Sequence, residues 1–228
     1  MKKLYDSRLV GSAALALIVG CAALAACDQG SEKSRNASSG AGASASPAHT
    51  PPDQTSEEAE TPQIALAREE GRAYRKSLDY MVGKVAVGGG AVQRSGDYLV
   101  GYAEEKAEGL YVLQGGRLQW VEPKAENAHL EVSVSDAADG RFVPYLKVTA
   151  RLEGADGRAL GPFEIPFVWH PGLYHYGRNI TVPGEGPYTV RVRIEPPQFP
   201  RHDKTNGQRY AGPVEVVFKN ARFKTGHG

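Results

Sequence analysis

Residues 128–135 read AHLEVSVS, and this stretch decides the fold that we expect. Leucine and two valines occupy every second position, which is the two-residue period of a strand that buries one face. His129 and Glu131 fall on the opposite side of that strand, which we expect to face solvent. An imidazole and a carboxylate at this spacing can both reach one metal ion, although two exposed polar residues would give the same pattern.

Short strands separated by turns continue from residue 84 toward the C-terminus. The turns are rich in Gly, Asp, Asn and Pro, the residues that tight turns require. At least seven such strands predict an all-β fold, an immunoglobulin-like β-sandwich over residues 84–224. The candidate strands are residues 85–87, 98–103, 110–113, 117–121, 128–135, 143–152, 163–168, 188–194 and 213–218.

A second informative stretch is WHPGLYHYG at residues 169–177, which contains two of the six histidines in the chain. Its proline and glycines exclude a helix, and it shows no strand alternation. We therefore expect a rigid loop with aromatic walls that holds His170 and His175 in fixed places. The plainer alternatives are a packed His175 and a His170 that is only a loop residue before a proline.

His202 follows a proline-rich segment, residues 196–201, that predicts a stiff extended arm rather than a central strand. The arm makes His202 either a ligand or part of an ordinary surface loop. Three histidines in irregular or polar-facing positions of one small domain favour a metal site at one end of the sandwich.

The first 26 residues have the features of a bacterial lipoprotein signal peptide. A basic start and a short apolar segment lead to Leu24-Ala25-Ala26-Cys27, which resembles the lipobox where the peptide is cut and the cysteine acquires lipid, palmitate included. We expect a periplasmic lipoprotein anchored to the membrane through Cys27, and Asp28 after it favours the inner membrane. The alternative is a soluble secreted protein with a free Cys27.

Residues 27–60 and 61–83 separate this signal from the predicted domain. The first segment is rich in small, polar and acidic residues and lacks large apolar ones, so it predicts a disordered tether. Thr61 predicts a helix cap, and apolar residues then recur every three or four positions as far as Met81. The second segment therefore predicts one amphipathic helix, whose narrow apolar face suggests weak docking on the domain or on a partner.

Charge and motif content limit the possible functions. A net charge of +1 gives no electrostatic basis for nucleic-acid binding. The domain contains no nucleophile–base arrangement and no glycine-rich phosphate loop, so we expect no enzymatic activity. A zinc hydrolase with Glu131 as its base is a weaker alternative. A further alternative is a non-catalytic adhesion or structural lipoprotein whose histidines only pack.

Motifs spread over the domain resemble those of the periplasmic ferrous-iron transport family. They cover residues 84–224 and are strongest over 127–218. The motifs are NAHLE at 127–131, DGRFVPYL at 139–146, HYGRNI at 175–180, PGEGPY at 183–188, and finally EPP at 195–197 with RHDKTNG at 201–207.

This resemblance implies an immunoglobulin-like homodimer that supports high-affinity iron uptake beside an inner-membrane iron permease. It implies a copper site with three histidine ligands and one methionine, in which His129, His175 and His202 are the histidines. It also implies that Glu131 lies beside the site, where it could serve a second ion such as iron or manganese.

The sequence departs from the family at the methionine ligand. Phe167 occupies that position, and His170 is the replacement candidate nearby. The two methionines of the chain are Met1 and Met81, and we expect neither near the site. An all-imidazole site would suit Cu(II) or Zn(II) better than Cu(I). Alternatively, the site has three ligands and an open position.

Overall fold

The computed structural model describes residues 54–228. The predicted signal peptide at 1–26, Cys27 and Asp28 lie outside the described residues, as does most of the predicted tether at 27–60. Within the described part of the chain, none of the helices combines the length and the apolar character needed to cross a membrane.

One α-helix and eleven strands form the described part of the protein. Helix α1 spans Thr61–Tyr80 and runs into a π-helical turn, Met81–Val85. Glu60 rather than Thr61 is the N-cap, and its backbone N–H donates to Gln63 Oε1 at 2.8 Å. The strands are β1 Gly89–Ser95, β2 Tyr98–Glu105, β3 Leu110–Gln114, β4 Arg117–Val121, β5 Ala128–Asp136, β6 Val148–Gly154, β7 Ala159–Ile165, β8 Phe167–Val168, β9 His175–Ile180, β10 Gly186–Ile194 and β11 Val214–Phe223.

The strands form two antiparallel sheets and one separate hairpin. The five-stranded sheet has the order β1-β2-β5-β9-β8, the four-stranded sheet has the order β11-β10-β6-β7, and β3 pairs only with β4. One apolar core joins the two sheets and includes Val132, Val134, Val190 and Val192, all fully buried. The predicted all-β sandwich and its inward-facing positions are therefore confirmed.

Helix α1 covers the outer face of the five-stranded sheet. Leu78 is fully buried, and Gly71 approaches the loop after β5 so closely that an added Cβ would lie 1.7 Å from the Asp139 carbonyl oxygen. Tyr74 Oη donates to the Tyr174 carbonyl at 2.7 Å and lies 2.9 Å from Ser133 Oγ. The helix thus docks on the domain through apolar contacts and hydrogen bonds together.

This docking corrects the prediction that His129 and Glu131 face solvent. Every residue of β5 is buried, and His129 is 0% exposed and Glu131 5% exposed. Alternation does place both side chains on the outer face of the sheet, but α1 and the π turn cover that face. The strand is therefore buried on both sides, in spite of its alternating sequence.

Two strand predictions and one loop prediction also need correction. Residues 85–87 belong to the end of the π turn and the segment after it, and β1 instead begins at Gly89 inside a run of glycines. Residues 143–147 are irregular before β6. Most important, His175 is not in a loop, because it begins β9.

Glu104 on β2 is a buried carboxyl group that makes stability depend on pH. Burial raises the pKa of Glu104 to about 7, although the backbone N–H groups of Lys224 and Gly88 bond to it. Because this pKa is higher in the folded than in the unfolded chain, the carboxyl contributes full stability only below its unfolded pKa. That contribution is lost as pH rises through about 7.

We expect Glu104→Gln to become more stable relative to the wild type as pH rises from about 5 to about 8, since the amide cannot ionise. Thermal unfolding of the metal-free proteins at several pH values measures the difference. Glu153→Gln, at an exposed position of β6, is the matched control and should track the wild type. A Glu104→Gln advantage that does not change with pH would contradict this prediction.

A candidate metal centre under the helix

The pairing of β5 with β9 brings three candidate ligands together. His129 pairs with Asn179 and Glu131 with Gly177 across the two strands, so these side chains and His175 project from the same face. One ligand atom each from His129, Glu131 and His175 lies within 4.8 Å of the others. All three residues are buried, which is uncommon for ionisable groups that lack a partner or a metal.

Asn179 holds His129 in one orientation. The Asn179 side-chain N–H donates to the Glu108 carbonyl at 2.7 Å, and its amide oxygen lies 2.8 Å from His129 Nδ1. Because that oxygen can only accept, the His129 proton lies on Nδ1 and Nε2 carries a lone pair. Within residues 54–228, Nε2 has no hydrogen-bond partner; the nearest charge is Glu108 Oε1, at 3.8 Å.

His175 is held in the same way by the backbone. Its Nδ1 donates to the Leu173 carbonyl at 3.0 Å, so its Nε2 also carries a lone pair. This Nε2 lies 3.2 Å from Glu131 Oε1, which is another acceptor. Two lone pairs at that distance require a proton or a cation between them.

Burial decides where that proton lies in the metal-free protein. Burial lowers the pKa of His175 to about 4, and the neighbouring His129 and His170 contribute in the same direction. Burial raises the pKa of Glu131 to about 8, with a further contribution from the charges of Glu105 and Glu108. Near neutral pH both imidazoles are therefore uncharged and Glu131 carries the proton, so the contact is not an ion pair. A metal cation would replace that proton.

Gly177 provides the space in which the imidazoles converge. An added Cβ would lie 2.7 Å from His129 Nε2 and 3.1 Å from His175 Nε2. The position opposite Glu131 must therefore lack a side chain.

The cluster opens into a cavity of about 400 Å³ between α1, the π turn and the sheet. Glu105 and Glu108 line it beside Glu131, so three carboxyl groups face the same space. His170, an exposed residue, also lines it, with its ring centre 5.9 Å from that of His175. Its Nδ1 accepts the Gly172 N–H at 3.1 Å, so Nε2 is the nitrogen that could bind a metal.

Met81 lines this cavity as well. The expectation that no methionine lies near the histidines is therefore wrong. Met81 is distant from them in sequence, and only the docking of α1 brings it to the site.

His202 does not join the cluster. Its ring is 91% exposed, and its Nδ1 lies 3.1 Å from Glu58 Oε2. Glu58 belongs to residues 54–60, the part of the predicted tether that the structure describes. Ser56 Oγ donates to Asp203 at 2.7 Å beside it. Within one chain, the structure brings together two of the three predicted histidine ligands and leaves the third on a separate surface.

The donor set fits a transition-metal ion. Two imidazole lone pairs and a carboxylate converge without protein partners, and each imidazole is oriented by a hydrogen bond from its other nitrogen, as is usual for metal-binding histidines. Sequence reasoning missed the orienting Asn179, the space at Gly177 and the carboxyl groups of Glu105 and Glu108. Recognition of 175–180 as a strand would have revealed the first two, because 175, 177 and 179 alternate along it.

Comparisons with known proteins agree with the predicted resemblance. The family described as Fe2+ transport protein matches residues 118–224. A UPF0423 protein from Brucella abortus is 33% identical over 88 residues, which is 35% of this chain and 47% of that protein. The chain therefore spans about half the length of the curated relatives that it matches.

Solved structures that are similar to the chain include those of FetP from uropathogenic Escherichia coli. The crystal structure of FetP as isolated has a TM-score of 0.50 and 21% identity, covering 59% of this chain and 93% of FetP. A copper-bound FetP variant has a TM-score of 0.50 and 20% identity, covering 61% of this chain and 92% of that chain. This similarity supports the sandwich fold.

We expect Gly177→Ala to weaken copper or zinc binding by more than about tenfold, because the new methyl group displaces both Nε2 atoms. Calorimetric titration measures the affinity. Gly184→Ala is the matched control, since nothing lies within 4 Å of a Cβ added there. Equal affinities of the two variants would mean that the histidine rings do not hold the metal.

Proposed function

We propose that this chain is a periplasmic metal-binding lipoprotein, anchored through Cys27, that binds copper or ferrous iron and supports iron uptake with an inner-membrane iron permease. One observation carries the metal-binding part: His129, Glu131 and His175 converge within 4.8 Å, and both imidazoles present an Nε2 lone pair rather than an N–H. The Fe2+ transport match and the copper-bound FetP structure support the choice of metals and process.

The chemistry of the site supports binding rather than catalysis. Glu131, which a zinc hydrolase would use as its base, is itself one of the three converging ligands. We therefore propose a metal-binding protein and not an enzyme.

The arrangement offers ligands for two kinds of metal ion. Imidazole nitrogens suit copper and zinc, whereas the carboxyl groups of Glu105, Glu108 and Glu131 suit iron and manganese. The proposal therefore places copper on the histidines and a harder ion toward the carboxyl groups of the same cavity.

A homodimer is also part of the proposal, and two exposed features support it. Tyr111, Leu113, Leu118 and Trp120 share one face of the β3–β4 hairpin, and each is half or more exposed. An isolated two-stranded ribbon with an apolar face is only marginally stable, and such a face is typical of an interface. His202 is exposed, and in the proposed dimer it leaves Glu58 and enters the cavity of the second copy, where it supplies the third imidazole.

We expect one tightly bound copper ion per full-length chain. His175→Ala should lower the copper affinity by at least about 100-fold, because loss of a direct ligand weakens metal binding more than loss of a residue that only orients a ligand. His170→Ala should change the affinity by no more than about threefold, since its ring lies at the cavity edge. Calorimetric titrations with copper, zinc and ferrous iron measure these values.

Equal losses in the two variants would show that His170 is a ligand. Absence of metal binding in the wild type would overturn the proposed function and favour an adhesion domain.

We expect Leu113→Glu to convert the dimer to a monomer, because it places a charge in the shared apolar face. Gln119→Glu, on the other face of the same hairpin, is the control and should leave the dimer intact. Sedimentation velocity measures both. A wild-type monomer, or a Leu113→Glu dimer, would contradict this interface.

A further inference from the structure

We propose that Met81 is a ligand in this site, and that its thioether makes the site prefer Cu(I) to Cu(II) and Zn(II). The inference rests on the proposed copper binding and deepens it by assigning a ligand from α1. Met81 lies outside residues 118–224, the segment that matches the Fe2+ transport family.

The position of Met81 follows from its neighbours. Met81 is 6% exposed and lines the same cavity as Glu131 and His175. It belongs to a small apolar cluster with Leu78, Ala103 and Leu173.

Two members of that cluster belong to the frame of the site. Ala103 is the cross-strand partner of Glu131, and Leu173 provides the carbonyl that orients His175. Met81 therefore shares one apolar cluster with residues that lie beside two of the three converging ligands.

The backbone explains why a residue of α1 reaches the site. Leu78 and Met81 are three positions apart, so they lie on the same side of the helix, the side that faces the sheet. The α-helix ends at Tyr80, and the Met81 carbonyl accepts the Ala86 N–H at 3.0 Å to close a π turn. Such turns are rare and occur frequently at functional sites.

The chemistry of the cavity supports a metal-binding role for the Met81 thioether, in addition to its packing. His129 Nε2 and His175 Nε2 are buried and have no hydrogen-bond partner within residues 54–228. A thioether is uncharged and polarisable, so it can complete a ligand set in an apolar wall without a proton to lose. Among the common copper ligands it favours Cu(I), whereas carboxylates favour harder ions.

The first test compares full-length wild type with Met81→Leu, which conserves volume and apolar character. We expect Cu(I) affinity, measured by competition with a chromogenic Cu(I) chelator, to fall about 30-fold. Cu(II) affinity should change by less than about threefold, because the imidazoles remain. A parallel His129→Ala variant should lose both ions.

The second test does not depend on the variant being folded. The chain contains two methionines, Met1 and Met81, and two cysteines. Selenomethionine labelling therefore distinguishes a thioether from a thiol. X-ray absorption at the copper edge of the Cu(I)-loaded, labelled protein should show selenium in the first coordination shell. The same labelled protein with Met81→Leu should lose that signal if it folds.

The outcomes separate this inference from the function on which it rests. Copper binding that needs His129 and His175, without a selenium neighbour and with unchanged Cu(I) preference in Met81→Leu, would overturn the ligand assignment and leave Met81 as packing only. Failure of the wild type to bind copper at all would overturn the proposed function itself.

Discussion

The docking of α1 on the outer face of the five-stranded sheet is the contact on which the rest of the site depends. Gly101 and Ala103 keep that part of β2 small, and the Leu78 methyl group lies within 3.1 Å of where a Gly101 Cβ would be. The helix converts an exposed sheet surface into an interior. His129, Glu131 and His175 are buried as a result, and burial shifts their pKa values in opposite directions.

Burial also explains why the site is prepared for a cation. A carboxyl group and two imidazoles would each find water if the face were open. Under the helix, Asn179 and the Leu173 carbonyl accept the two Nδ1 protons, so both Nε2 atoms carry lone pairs. Within residues 54–228, that of His129 has no hydrogen-bond partner, and that of His175 faces Glu131 at 3.2 Å. Glu131 holds a proton that a metal can displace. The same residues that orient the imidazoles therefore leave a ligand set incomplete without an ion.

The sequence predicted which residues of β5 share a face, but it did not predict that α1 covers the outer face. The reason is physical. Alternation in β5 shows which residues share a face, and it correctly grouped His129 with Glu131. It does not show whether another element covers that face, because the contact between α1 and β2 joins residues far apart in the chain. The same limit hid Met81, which is separated from His129 by four strands, β1 to β4.

The histidine stretch shows a second limit. Pro171 and Gly172 correctly predicted an irregular segment, but that segment ends earlier than expected, and His175 begins β9. The family resemblance identified His175 and His202 as ligands, yet one chain brings only His175 to His129. Strand periodicity does not indicate whether copies of the chain assemble, so it could not test the proposed role of His202.

The most direct measurement is the anomalous scattering of crystals of the copper-loaded protein at the copper absorption edge. We expect a peak within bonding distance of both His129 Nε2 and His175 Nε2, in the space that Gly177 leaves open. Peaks confined to the surface, for example between His202 and Glu58, would contradict it, and the buried histidines would then be part of the core and not a metal centre.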